Sequence, residues 1–395
     1  MVQVICHDMT PTVLIAQLTK LSSRLSDDGD AEAKRECLRL SKKLSTQLEP
    51  PENTAIDTAF SPIVASTARI AVDLKLFELI VEHGPVSATK LAEMSGAEEL
   101  LIVHFVEEPS PQTYTATNTT RSMATKEIAA GYRVISETAV PAMQAAPTFF
   151  RTNGYSCPID PKDGLTQVAS GTEKTMFEYV ASRPDLLSDF NLYMGSGMGA
   201  RRGWLEWFPV QREILDGAEK GEGNVLIVDV GAGKGHDLLA FQGMFPGAGR
   251  LVLQDLPAVT DSLIMNGTAI ETMAHDFFTE QPVKGARVYF YHHIFHDWSD
   301  EYCESILKML IPATTPGYSR LIINEMILPE QGATQFQAQM DLAMMAFNGG
   351  TERTRTQWKT LLEQAGLTHI KFWEPVDEGG DGIIEAMRFS KSRCG

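Results

Sequence analysis

"VDVGAGKGHDLLAF", Val228–Phe241, sets three glycines at alternate positions. An apolar run ending in an acid precedes them, and a stretch that can open a helix follows. The run itself, "NVLIVDV" (224–230), is short and β-branched. The order reads as strand, tight turn, helix. "RLVLQDLP" (250–257), "ARVYFYHHI" (286–294) and "SRLIINEMIL" (319–328) repeat the strand signal, with helical stretches between them. Strands alternating with helices predict an α/β fold, a parallel sheet covered on both faces.

In such a sheet, ligands gather at the carboxyl ends of the strands, near the switch point. Gly231, Gly233 and Gly235 fall at that end of the first strand. Lacking Cβ atoms, they let the backbone turn sharply and approach a ligand; a tight turn alone would also use them. Asp229 ends the first strand and Asp255 the second. An acid at the second position is placed to take ribose hydroxyls. The spacing G-A-G-K-G is not the G-x-G-x-x-G of a pyrophosphate site. An adenosine ligand without phosphates suits it better, and S-adenosylmethionine is the common one. In "AHDFF" (274–278), Asp276 is placed to meet an adenine amine and Phe277 to lie on its face. Asp276 also suits a plain loop cap.

"YFYHHIFHDWSDEYC" (289–303) carries three histidines. His292 and His296 share a face only on a helix, and the Tyr-Phe-Tyr run argues for a strand. No carboxylate or cysteine set stands nearby at ligand spacing, so no metal is expected. His293 reads as a core histidine. His296 follows a strand end and precedes Asp297, at the mouth of the sheet, which suits proton transfer. A phenol ionises near ~10, as tyrosine does. Deprotonating it during methyl transfer calls for a base poised near neutral pH. Such a base wants a carboxylate on its other nitrogen. Glu325 ends the next strand, and Glu352 opens a later helical stretch. Either acid alone could equally be solvated.

The chain has 395 residues and a formal net charge of -17. That charge disfavours nucleic acid as a partner. Five scattered cysteines without a CxxC pair fit a reducing, cytoplasmic setting. No apolar run is long enough to span a membrane, and the N-terminus does not read as a signal peptide. Residues 11–48 predict two helices, and 62–80, apolar on most faces, a buried one. "GPVSATKLAEMSG" (84–96) predicts a Ser-initiated helix closed by Gly, and "QTYTATNTTRSM" (112–123) a strand running into a polar turn. That order is the order of a winged-helix module. The acid excess favours a protein-contact role for it over DNA binding. Residues 121–222 read as largely helical.

Taken together, "VDVGAGKG", "LQDLP", "HDFF", "HHIFHDWSDEYC", "NEMILPE" and "NGGTERTRTQWKTLLEQAGL" resemble the plant-type class I O-methyltransferases, fungal branch. The resemblance runs from about residue 60 to 390. It implies a mainly helical N-terminal dimerisation domain with a winged-helix core (1–165). A Rossmann-like methyltransferase domain (166–395) follows. It places S-adenosylmethionine over Gly231, Ala232 and Gly233, with Asp255, Leu256, Asp276, Phe277 and His292 completing the cofactor site. His296 matches the family's base, and Glu325 and Glu352 its flanking acids. Met194, Met198, Trp204 and Met345 lie in stretches that flank the acceptor, beside Asp297; methionine suits an adaptable apolar wall. The implied protein is a metal-free cytoplasmic homodimer, acting on phenolic hydroxyls of a small molecule, without nucleic acid or membrane partners.

Two departures stand out. The family carries Lys or Arg where this chain has His292, a weaker cation at neutral pH, so lower or pH-dependent cofactor affinity is expected. The segment "GAEELLIVHFVEEPSPQTY" (96–114) is shorter than the family pattern. A second reading keeps the cofactor but performs a pericyclic, cyclising or dehydrating step instead.

Overall fold

The computed structural model describes residues 9–25, 30–103, 113–195, 202–221, 223–265, 267–377 and 379–389. The shortened segment after Val103 and Met198 lie outside them. The chain divides into two compact units, Met1–Ser136 and Glu137–Gly395.

In the first unit, the two expected helices form as Pro11–Ser22 and Ala31–Leu48, and they pack together. Asp30 caps the second by accepting from the amides of Glu32 and Ala33. The stretch expected to be buried, 62–80, is buried only toward its C-terminal end. On helix Pro51–Asp73, Ile63 is 56% exposed and Val64 69% exposed. Only its end, Ala71 and Val72, is buried, ahead of helix Leu76–His83 with buried Leu76 and Ile80. Ser87 caps helix Ala88–Ser95 through the Lys90 amide, and Gly96 closes it at φ 74°. Strand β1 (Val86–Ser87) pairs antiparallel with β2 (Thr113–Tyr114). The second strand is short because Thr117 and Thr120 form a capping box that starts helix Asn118–Met123. The polar turn expected there is a helix.

The second unit is built on one sheet. Its strands are β3 (Val225–Val230), β4 (Arg250–Asp255), β5 (Ile270–Ala274), β6 (Val288–His292) and β7 (Arg320–Glu325). A short β8 (Ile327–Leu328) pairs in parallel with β9 (Arg353–Thr354) outside it. Strands β10 (Thr368–Trp373) and β11 (Gly382–Met387) complete the sheet, in the order β10-β11-β7-β6-β3-β4-β5. The five central strands are parallel, as expected, but β10 and β11 join antiparallel, so the sheet is mixed. Residues of β3 are buried along the whole strand because both sheet faces are covered. One apolar cluster gathers Tyr289, Tyr291, Ile306 and Trp358; another gathers Leu226, Phe241, Phe290 and Trp204. The chain order reverses between β3 and β6, which makes their carboxyl ends the switch point.

Residues 137–165 pack with this unit. Helices Ala139–Thr152 and Leu165–Ser170 lie on helix Gln335–Asn348, and the Thr166 hydroxyl donates to Ala346 O at 2.7 Å. The packing boundary therefore falls ahead of the sequence boundary at 165. Among the described residues, no helix is long and apolar enough to cross a membrane.

Candidate active site

The glycine loop leaves β3 at the switch point. Gly231, Gly233 and Gly235 all have positive φ, at 75°, 54° and 74°. That region suits glycine, so the turn needs these residues whatever it binds. The amides of Gly231 and Ala232 donate to Gln254 O, which ties the loop to β4. Gly233 N–H donates to Asp255 Oδ2 at 2.7 Å, and Leu256 N–H to Oδ1 of the same carboxylate. Burial raises the Asp255 carboxyl above its ordinary range, against those two amides. Among the described residues, a Cβ on Gly233 would meet no atom within 4 Å, so the loop there is open toward a ligand. Asp229 is buried, and its Oδ2 has no hydrogen-bond partner among the described residues. Burial, then the Asp237 charge, pushes that carboxyl well up. An open glycine edge backed by an unspent acceptor fits a ligand with cationic or N–H groups, such as an adenosyl amino acid.

Asp276 and Phe277 follow β5. Asp276 is exposed and accepts from Phe278 N–H at 2.9 Å, while Phe277 lies edge-on to Trp298. Leu256 is half exposed beside Asp255.

His292 ends β6. Its Nδ1 is 2.7 Å from Asp237 Oδ2, and the other Asp237 oxygen accepts from the Trp204 indole N–H at 2.8 Å. Burial alone would strip the proton from His292; the Asp237 and Asp381 carboxylates outweigh it and hold the imidazole well above its usual range. The expected weak cation is therefore a supported one. The supporting acids come from the first turn of helix His236–Met244 and from the loop before β11.

His296 sits in a 3-10 turn, Phe295–Asp297, between β6 and helix Asp300–Leu310. It is buried, with Nδ1 2.8 Å from Glu352 Oε1. With a carboxylate as acceptor, Nδ1 carries the proton and Nε2 is left to exchange one. Burial favours the neutral ring, but the Glu352, Asp297 and Glu325 charges push it up to about 10. Asp297 Oδ1 stands 3.9 Å from Nε2, and burial pushes that acid up to about 6. Glu325 has a different place from the one expected. Its Oε1 accepts from the amides of Ile294 and Phe295, at 3.0 and 2.6 Å, so it holds the backbone entering the turn. Burial pushes its carboxyl up to about 7.

Further residues hold the turn, and sequence reasoning missed them. Arg353, 1% exposed, donates to Phe295 O at 3.0 Å and Trp298 O at 2.8 Å, and pairs with Asp300. Gly350 packs against the turn backbone, and Thr351 N–H donates to His296 O at 2.9 Å. Asp341 in turn accepts from Glu352 N–H at 2.9 Å, which fixes the acid on His296.

The proposed acceptor wall is scattered by comparison. Trp204 is 4% exposed, packed in the core below the glycine loop and bonded to Asp237. Met345 is partly buried against Ala142, Phe149 and Leu165. Met194 is 40% exposed at the end of helix Pro184–Met194.

A model of the O-methyltransferase domain matches residues 207–368. The chain is 55% identical to "O-methyltransferase penC" of Penicillium thymicola, over 97% of this chain and 98% of that protein. Among solved structures, "The structure of LepI complex with SAM" covers 96% of this chain and 100% of that one, at 28% identity and TM-score 0.83. "A Pericyclic Reaction enzyme" covers 95% and 99%, with the same identity and TM-score. Identity above half over nearly the whole length, together with the domain match, carries the conclusion: this chain belongs to the S-adenosylmethionine-dependent O-methyltransferases.

Proposed function

We propose that the chain methylates a hydroxyl of an aromatic or polyketide-like small molecule in fungal secondary metabolism, with His296 as general base. The observation that carries the reading is the buried His296–Glu352 pair at 2.8 Å. When bound, S-adenosylmethionine supplies a methyl group on a sulfonium. Gly231, Ala232 and Gly233 would hold it, with Asp255 and Leu256 toward the ribose, Asp276 and Phe277 toward the adenine, and His292 beside them. His296 Nε2 accepts the proton of the acceptor hydroxyl. Glu352 fixes the tautomer and stabilises the imidazolium that forms. Glu325 and Arg353 keep the turn in place, and Asp297 lies close enough to Nε2 to bind a polar group of the acceptor. The buried setting strengthens each of these interactions by excluding water.

A purely pericyclic rearrangement takes no proton from an acceptor oxygen and so has no use for a buried imidazole–carboxylate base, and the higher identity is to a protein named as an O-methyltransferase. The test is methyl-labelled S-adenosylmethionine with a panel of phenolic metabolites. The expected product carries the label on oxygen. A product isomeric with its substrate and free of label would replace this reading with the pericyclic one.

The first unit is proposed as a winged-helix dimerisation domain. Its support is the antiparallel β1–β2 pair beside short capped helices, and the exposed Phe60, Ile63 and Val64 on helix Pro51–Asp73. Apolar exposure of that kind marks contact surfaces. Light scattering at micromolar concentration should give the mass of two chains; a monomer would contradict the assignment. The free thiols Cys37, Cys157 and Cys303 support a cytoplasmic setting.

A further inference from the structure

His292 has two ring nitrogens, and only one is spent on a hydrogen bond. Nδ1 meets Asp237. Nε2 is buried and makes no hydrogen bond among the described residues. Its nearest carboxylate oxygen, Asp381 Oδ2, stands 3.7 Å away, and the same oxygen is 3.0 Å from His293 Nε2. One donor atom from each of the three residues lies within 4.8 Å of the other two.

Neighbouring side chains on a strand point to opposite faces, so consecutive histidines should diverge. Here they do not. His293 takes φ 53°, a left-handed conformation that non-glycine residues avoid. The two rings come together, with centroids 4.4 Å apart. Backbone strain of this kind persists where the surroundings enforce it, and it gathers at functional sites.

We propose that His292 Nε2, His293 Nε2 and Asp381 Oδ2 bind a divalent transition-metal ion, with zinc best suited to the set. Two imidazoles and one carboxylate are zinc donors, and three protein ligands leave a fourth position for water. Tetrahedral zinc with bonds near ~2.0–2.1 Å spaces its ligand atoms about 3.3 Å apart. The observed 3.0 and 3.7 Å bracket that spacing. Asp237 supplies the carboxylate that a ligating histidine places on its other nitrogen. It is itself held by the Trp204 indole and lies 3.1 Å from His236 Nε2. Asp237 and Asp381 together balance a dication. The His293 and Asp381 side chains keep 26% and 23% exposure, which gives an ion its approach to the set. Asp381 lies far along the chain from the histidines, which is why no ligand spacing shows in the sequence. The site adjoins the His296–Glu352 pair, since the His293 ring stacks on the His296 ring with centroids 5.0 Å apart, but its existence does not depend on the methyl-transfer reading.

The test is binding to the metal-stripped full chain. Zn²⁺ calorimetry and Co²⁺ visible spectra should give one ion per chain in the micromolar range or tighter. His293→Ala and Asp381→Asn should abolish it, and Asp237→Asn should weaken it roughly 10–100-fold. Circular dichroism establishes that each variant folds. X-ray absorption of the wild-type zinc complex needs no variant, and should show two imidazoles on the ion. No stoichiometric uptake, uptake unchanged in folded His293→Ala and Asp381→Asn, or fewer than two imidazoles on the ion would each overturn the proposal.

Discussion

His296→Ala should slow methyl transfer by roughly 10²–10⁴-fold, the usual worth of a positioned acid–base group. S-adenosylhomocysteine should bind the variant as it binds the wild type, because no contact of the glycine loop or of Asp255 runs through His296. Single-turnover transfer of a labelled methyl group, with calorimetry beside it, separates the two effects. Glu325→Gln should cost much less. A glutamine keeps an oxygen for the Ile294 and Phe295 amides, which is what Glu325 provides. A loss of cofactor binding equal to the loss of rate would make His296 a structural residue.

Gly350→Ala should cost roughly 10²-fold in turnover. The added Cβ would stand 2.1 Å from His296 O, 2.5 Å from Asp297 C and 2.8 Å from Asp297 O. All three are backbone atoms of the turn that carries the base, so no side chain can swing aside. The turn must move, against the hydrogen bonds that Arg353 and Thr351 make to it. Displacing a reacting group by about an ångström is worth about that factor. Gly243→Ala is the control. It lies in helix His236–Met244 with no atom within 4 Å of a Cβ, so it should leave turnover unchanged. Steady-state rates of both variants, with melting curves, check the contrast. Full activity in Gly350→Ala would show that the turn tolerates a shift.

The central sheet was legible because β3, β4, β6 and β7 are apolar runs ended by turns or acids at regular intervals. Strands β10 and β11 were not. "THIKFW" mixes His and Lys into a partly exposed strand, and β11 follows a polar Gly-rich loop. Residues 62–80 misled for the opposite reason: apolarity says that a face avoids water, not which surface covers it. Within the site, His296 and the glycine loop could be placed from local pattern, whereas Glu352 rested on the resemblance. The supporting residues could not be placed at all. Asp237 reads as a first-turn helix acid and Arg353 as a solvated cation. Each is bound instead to a segment more than fifty residues away, at His292 or at Phe295. Such contacts leave no periodicity to detect.

The most direct measurement is the pH dependence of kcat/KM for labelled methyl transfer, in wild type and in His296→Ala. This ratio reports the ionisations of the free enzyme and of the free acceptor, so the acceptor phenol, which ionises near ~10 as tyrosine does, is titrated separately and its ionised fraction divided out. The base must be neutral to accept a proton. In the free enzyme its carboxylate neighbours hold it protonated up to about 10. The wild-type rate should therefore climb through the alkaline range and level off only as His296 loses its proton. The alanine variant should be slow and should lack that climb. An alanine variant that matches wild type in rate and in pH dependence would contradict the assignment of His296 as the base.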